Sequence, residues 1–404
     1  MAGETTHSSL GRTFQALLWA TATTNLGDGI RLAALPLLAT TLTDSPRLIA
    51  GVTAAQFLPW LVFGPFGGVI VDRSDRRRLI LSTQAWRSLV MVGLGLAVLT
   101  EIASIWMVFA VAFIITVGEI LVDPSVVAVV PTLVHRDDLD RANGRISSVE
   151  IITNDLVGAP VGAGLFIVVP WMPFAIDGLT YLGSIVPFRQ LPKRPPSERR
   201  GFALRKVLAE LPEGMGWLWR HGMLRPWTTA VAVFNIGAAG AFSLLVLLVL
   251  DVHDGSELAF GVTLTVAALT GALGSSIAPT LVRRFGRPPV LLVSAALGAA
   301  SLTGLAAAPS LTLVVVLWSF GAGLSGVMLA IGRGYVQRYC PNEILGRAAI
   351  ASRTITRTAF VIGALLGGEV AARSGIRSAF AVAGTVQVLA LLPMRVALRN
   401  DDDH

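Results

Sequence analysis

Charge is scarce in this sequence. Asp, Glu, Lys and Arg make up 14% of its 404 residues, against 53% hydrophobic residues, where a soluble globular chain carries roughly a quarter charged. So apolar a chain cannot clothe itself in a water-facing surface, and it is too hydrophobic to stay disordered. Cysteine is nearly absent as well. Cys340 stands alone, which excludes an internal disulfide framework. The five histidines are scattered, with no H-E-x-x-H run and no cysteine cluster, so no metal site is expected. There is no Walker lysine, and the glycines of residues 158–164 open no strand–helix unit, which leaves no nucleotide fingerprint. No cofactor is expected, and ATP-driven or metal-dependent chemistry is disfavoured.

Long apolar runs fill the chain instead, such as residues 89–99, at a mean hydropathy of +0.69. Unbroken runs exclude a transmembrane β-barrel, whose strands alternate apolar and polar positions. A bilayer-crossing helix needs about 20 apolar residues. Apolar windows fall near 15–38, 48–71, 79–99, 104–128, 146–168 and 172–188, then near 227–250, 259–281, 289–307, 311–332, 348–371 and 377–396. The predicted fold class is an all-α membrane protein with twelve transmembrane helices.

The net charge of +7 and pI near 10.6 would suggest nucleic acid in a soluble domain. In a membrane protein the basic residues stay in cytoplasmic loops, so no nucleic-acid partner is expected. With the N-terminus inside, the inner segments hold 25 of the 32 basic residues. The outer loops hold three (Arg47, Arg373, Arg377) and the spans four (Arg31, Arg87, Arg353, Arg357). That division predicts a multi-pass cell-membrane protein with both termini cytoplasmic. The first span is long and carries no cleavage site, so it reads as a retained anchor, not a signal peptide.

The second half repeats the first. Gly158-Ala159-Pro160-Val161-Gly162 matches Gly363-Ala364-Leu365-Leu366-Gly367, Asn25-Leu26-Gly27 matches Asn235-Ile236-Gly237, and Phe174-Ala175-Ile176 matches Phe380-Ala381-Val382. Gly144-Arg145 opens span five as Gly346-Arg347 opens span eleven. Ordered matches near half the chain length predict two pseudo-symmetric six-helix halves with a site at their interface. The halves are residues 1–188 and 227–404, joined by a basic cytoplasmic linker, 189–226. The linker holds nine basic residues and three acids (Glu198, Glu210, Glu213). It reads as a solvated segment drawn to anionic lipid, with residues 204–218 able to form an amphipathic helix.

The loop after span two reads Gly68-Val69-Ile70-Val71-Asp72-Arg73-Ser74-Asp75-Arg76-Arg77. It resembles the G-x-x-x-D-R-x-G-R-R signature of the major facilitator superfamily, departing at Asp75. Its counterpart Arg283-Arg284-Phe285-Gly286-Arg287 lacks the acid. Pro131-Thr132-Leu133-Val134, Leu139, Ala142-Asn143 and the stretch from Phe174 to Tyr181 resemble the macrolide-efflux and enterobactin-exporter branch of its drug:proton antiporters. The resemblance implies that Gly68, Asp72, Arg73 and Arg76 form a conformational latch between halves, with Arg77 and Arg78 as topology determinants. It also implies that Gly158, Pro160 and Gly162 form a helix-packing motif.

Ionisable residues inside the spans are costly and therefore informative. Asp28 and Arg31 share a face of span one, three residues apart. Glu119 and Asp123 lie in span four, Glu150 and Asp155 early in span five, and Asp177 near the outer end of span six. Spans seven to ten contain no acid, and Glu369 approaches the outer end of span eleven. Asp28, Arg31 and Asp177 become Ala238, Ala241 and Ala383 at repeat-equivalent positions. The scaffold therefore does not need these charges, which points to proton coupling or substrate contact for Asp28, Arg31, Glu119, Asp123, Asp155 and Asp177. Asp28 and Glu119 lead, because leaving water favours the protonated carboxyl. Asp123, before Pro124, is expected to satisfy local backbone, and Glu150 to pair with Arg145.

Asn25, Gln56, Phe57, Trp60, Phe63, Phe234, Asn235, Phe242 and Trp318 are candidates to line a largely apolar cavity between the halves. Such a wall suits a bulky amphipathic compound, cationic ones included. The expected function is proton-coupled efflux of a hydrophobic or amphipathic drug or natural product by alternating access, by a non-enzymatic monomer in the bilayer. Export of a siderophore or other metabolite, lysolipid flipping, and a polytopic enzyme or sensor are the alternatives. The topology is directly testable. A cysteine introduced at Asp254 should react with an impermeant thiol reagent added outside, and one at Ser197 should not.

Overall fold

A computed structural model describes residues 11–192, 215–341 and 345–402. Most of the linker (193–214), including most of the amphipathic stretch expected there, lies outside them, as do the side chains of Gly68, Asp72 and Arg73 of the expected latch. The described residues form helices with no strand among them.

Each expected apolar window falls on helix. In chain order these are α1 (Arg12–Leu42), α2 (Pro46–Val62 continued by Gly64–Arg73), α3 (Arg76–Leu99), α4 (Ile105–Val129), α5 (Leu139–Val168) and α6 (Met172–Phe188). The second set is α7 (Leu224–Phe242 with Leu245–Val252), α8 (Glu257–Phe285), α9 (Arg287–Ala306), α10 (Leu311–Tyr339), α11 (Leu345–Ser374) and α12 (Ile376–Asp402). Eight of them are long and apolar enough to cross a bilayer unaided, and the α7 pair, bent by 41°, makes a ninth. The remaining three occupy the positions that complete the pattern of twelve.

Local chemistry sets the ends. Asp75 caps α3, its carboxylate accepting from the Arg78 backbone N–H at 3.0 Å. That accounts for an acid where the family signature carries glycine, since a free helix N-terminus favours a side-chain acceptor. Ser104 caps α4 and Ser256 caps α8 in the same way. α8 ends at Gly286, whose φ of 82° is open to glycine at little cost. Within α5, residues Ile151–Gly158 widen into a π-helix.

The repeat recurs in the packing. Gly158 lies against Gly29 of α1, and Gly162 against the Ile30 backbone. Gly363 and Gly367 of α11 lie in the same way against Ile236 and Gly240 of α7. Gly178 of α6 faces the Ser88 carbonyl and Val92, as Gly384 of α12 faces the Ala299 carbonyl and Thr303. Any side chain at these positions would meet a neighbouring helix, so glycine sets the close approach.

α2 packs on α11, and α5 on α8, joining the halves. On the face away from the termini one apolar cluster runs through both halves, from Leu35, Leu38 and Val52 to Leu244, Leu248 and Phe260. Nearer the termini the clusters separate. One holds Phe14, Ile80 and Phe188 of the first half, and another holds Leu224, Leu291 and Met394 of the second. Among the described residues the halves thus share one apolar cluster at one end and keep separate ones at the other.

The seal carries an ion pair. Arg47 at the start of α2 binds Glu369 of α11 at 2.6 Å, and Arg373 joins from one turn on. Gly368 sits against Ala50 and the backbone of Pro46 and Arg47. A methyl there would press on backbone that cannot retreat, so Gly368→Ala should destabilise the fold by about 1–3 kcal/mol in thermal unfolding. Gly164 has nothing within 4 Å, so Gly164→Ala should be neutral or gain up to about 1 kcal/mol from helix propensity.

Candidate functional site

Four helices of the first half converge on one charged cluster. Arg31 of α1 reaches back one turn to Asp28, with Nη2 donating to Oδ1 at 2.9 Å, and across to Glu119 of α4, donating to Oε1 at 2.6 Å. Its Nε stands 3.6 Å from Asp177 of α6. Arg87 of α3 donates from Nη2 to the same Asp28 oxygen at 2.8 Å and to the Tyr181 hydroxyl at 2.8 Å. Tyr181 in turn donates to Asp28, and its ring lies under the Arg87 guanidinium at 4.0 Å. Gln84 extends the cluster, accepting from Arg87 Nη1 at 3.2 Å and donating to Thr24 and Ser184 at 2.9 Å each.

Burial makes these contacts consequential. Arg87, Gln84, Tyr181 and Asp177 are within 1% of fully buried. A charge held this deep requires compensation, and two guanidiniums here face three carboxylates. Asp28 is the best satisfied acid, with three donors on one oxygen. Asp177 is the least. Among the described residues neither of its oxygens accepts a hydrogen bond, and Gly27 leaves the space that Asp177 and Thr180 fill. Glu119 keeps 24% of its side chain exposed.

The second half is built oppositely. Asp28 corresponds to Ala238 and Tyr181 to Gln387 at the repeat offsets, and the Gly178–Gly384 contacts pair Arg87 with Gly298. Ala238, Gly298 and Gln387 all line a cavity of about 970 Å³. Space that one half fills with charged side chains is vacant in the other. Phe234, Phe242 and Trp318 supply its aromatic wall, and Glu150 and Asp155 border it from α5.

The structure relocates several expected residues. Asp177, in the second turn of α6, belongs to the buried cluster. Asp123 is exposed and makes no backbone bond, and Glu150 makes no pair with Arg145, among the described residues. Phe57 stacks on Phe360 across the halves at 4.2 Å, and Trp60 lies beside Arg357. Asn25 bonds its own helix at the Thr21 carbonyl. Gln56 and Asn235 are half-buried and outside the cavity lining. Arg76 donates to the Ala128 carbonyl at 3.0 Å. Pro160 lies where α5 meets Gly261 of α8.

Arg87 and Tyr181 are the residues that sequence reasoning did not select. The signal was present in Gln84, Arg87 and Ser88, a polar stripe at helical spacing inside an apolar span.

The family of transmembrane secretion effectors, within the major facilitator superfamily, matches residues 5–404. Macrolide efflux protein A of Streptococcus pyogenes is 27% identical over 383 residues, 89% of this chain and 90% of that protein. A Bacillus subtilis protein named for bacilysin export is 32% identical over 170 residues, 42% of this chain and 41% of its own. Among solved structures, a nucleoside transporter superposes with a TM-score of 0.80 at 12% identity, over 96% of this chain and 100% of that one.

Breaking the cluster should be costly. Arg87→Met leaves a buried carboxylate short of a partner and should cost about 3–5 kcal/mol. Adding Asp28→Asn should recover part of that loss in thermal unfolding. A double variant as damaged as the sum of the singles would mean that the two residues do not act as a unit.

Proposed function

The chain belongs to the transmembrane secretion effector family of the major facilitator superfamily, and from that premise we propose that it is a proton-coupled exporter of amphipathic natural products or drugs, working by alternating access. It is a membrane transporter and not an enzyme. The observation that carries the finer reading is the buried charged cluster of the first half, with three carboxylates against two guanidiniums.

Two positive charges balance two of the three acids, and one proton neutralises the third. We assign that proton to Glu119, the most exposed of the three carboxylates and so the one that a proton from the vestibule reaches first. Asp28, held by three donors, is the anchor that keeps both guanidiniums in place. Protonating Glu119 frees one arm of Arg31, which then leans on Asp28 and Asp177. Because Arg31 belongs to α1, which packs on α5 and α6, its repositioning acts on the helices that move between states. With the basic termini cytoplasmic, the separated ends of the halves form an inward-open vestibule, and the Arg47–Glu369 pair closes the outer face. The relatives named for efflux and export support the outward direction.

The test is transport into proteoliposomes carrying an imposed pH gradient, with a radiolabelled macrolide and amphipathic dyes as substrates. Accumulation should follow the gradient and collapse with a protonophore. Glu119→Gln, which copies the protonated state, should abolish gradient-driven accumulation by at least tenfold while leaving substrate binding within about twofold. Accumulation by Glu119→Gln that still tracks the gradient would remove that residue from the coupling path. Gradient-independent accumulation by the unaltered protein would overturn proton coupling itself.

A further inference from the structure

Arg357 stands in α11, well inside the apolar window of span eleven. Its guanidinium carbon lies 5.3 Å from the centroid of Phe57 and 5.0 Å from that of Trp60, both on α2 of the other half. Phe360, one turn on, stacks on Phe57 and lines the cavity. Arg353, one turn back on the same face, is exposed and adds a second positive charge to the same field.

Among the described residues no carboxylate pairs with either arginine. Glu119 reaches Arg357 electrostatically, but its bond is to Arg31. Ring faces stabilise a cation without offering a lone pair to its N–H groups. Among the described residues the five donors of the guanidinium meet no protein acceptor, although such a fork matches a carboxylate or similar oxyanion in two parallel bonds. The first-half arginines differ: Arg31 and Arg87 are consumed by acids. A cation without a protein partner among the described residues, flanked by flat aromatic surfaces at a largely apolar cavity whose acids Glu150 and Asp155 lie on α5, points to a ligand and not to the fold.

We propose that Arg357, supported by Arg353, binds the anionic group of the transported molecule, a carboxylate or sulfonate on a flat apolar body that lies between Phe57, Trp60, Phe360 and the cavity. This rests on the transport reading and refines its substrate class, moving it from cationic compounds towards anionic or zwitterionic amphiphiles. Arg353, nearer the open end, would draw the anion in, and Arg357 would hold it.

Three near-isosteric probes test this on the purified full chain in detergent, by equilibrium dialysis with no gradient: 1-naphthaleneacetate, 1-naphthaleneacetamide and 1-naphthylmethylammonium. The acetate should bind at least tenfold tighter than the amide, and the ammonium no tighter than the amide. In Arg357→Gln the acetate should fall to within twofold of the amide, while Arg357→Lys should retain part of the preference. Equal binding of all three by the unaltered protein would overturn the proposal, as would an unchanged preference in Arg357→Gln. No saturable acetate binding up to millimolar concentration would overturn it too. Should Arg357→Gln fail to fold, the ranking of probes by the unaltered protein and by Arg357→Lys decides. A rival role, in which Arg357 serves only to meet Glu119 when the vestibule closes, predicts no preference for the anion. Because dialysis uses no gradient, failure of proton coupling would leave this result intact, and the converse holds.

Discussion

Two arginines buried among carboxylates are what the first half is arranged around. Arg31 and Arg87 meet on one oxygen of Asp28, and the helices carrying them, α1 and α3, are held at a fixed spacing by that shared acceptor. In a low-dielectric interior neither guanidinium can be left unmatched without a large penalty. The surrounding choices follow from it. Tyr181 covers one face of Arg87 and bonds its edge, Gln84 takes another donor, and Gly27 leaves room for Asp177. The cluster gathers three hydrogen bonds on one Asp28 oxygen, leaves both Asp177 oxygens without any, and holds one more carboxylate than guanidinium.

The duplicated architecture gives the cluster its complement. Glycines at matching positions bring α5 onto α1 and α11 onto α7 by the same close approach, so both halves inherit one backbone arrangement. What differs is side-chain volume. Ala238, Gly298 and Gln387 stand where Asp28, Arg87 and Tyr181 would be, and a cavity occupies the space. One half has become a charged, tightly filled element and the other a receptacle.

Sealing the halves at one end is a matter of both apolar area and charge. The continuous cluster from Leu35 to Phe260 excludes water on that face, and the Arg47–Glu369 pair lies at its exposed margin. An exposed pair of this kind adds little to stability. Its geometry instead sets which surfaces face each other when the end is shut. At the other end, among the described residues, each half keeps an apolar cluster of its own.

Much of this was legible in the sequence. Scarce charge and long apolar runs dictated a helical membrane protein, because only hydrogen-bond-closed helices or barrels survive in a bilayer. The spacing of Gly158, Gly162, Gly363 and Gly367 announced a duplicated fold, and the loss of acids from the second half announced its asymmetry. Asp28, Arg31 and Glu119 could be selected because a charge in an apolar span is visible in one dimension. What the sequence could not express is which charges meet. Asp177 lies far from Arg31 along the chain, and only the packing of α6 on α1 brings them together. Arg87 stood in a visible polar stripe with Gln84 and Ser88, but only the packing of α3 set it against Asp28 and Tyr181. Asp75 read as a departure from a signature until α3 began there and needed an acceptor at its first turn. Composition and periodicity decide the class and number of helices, because each residue's transfer cost is local. Partnership among buried charges is decided by tertiary structure, because it depends on distances between segments that the chain does not order.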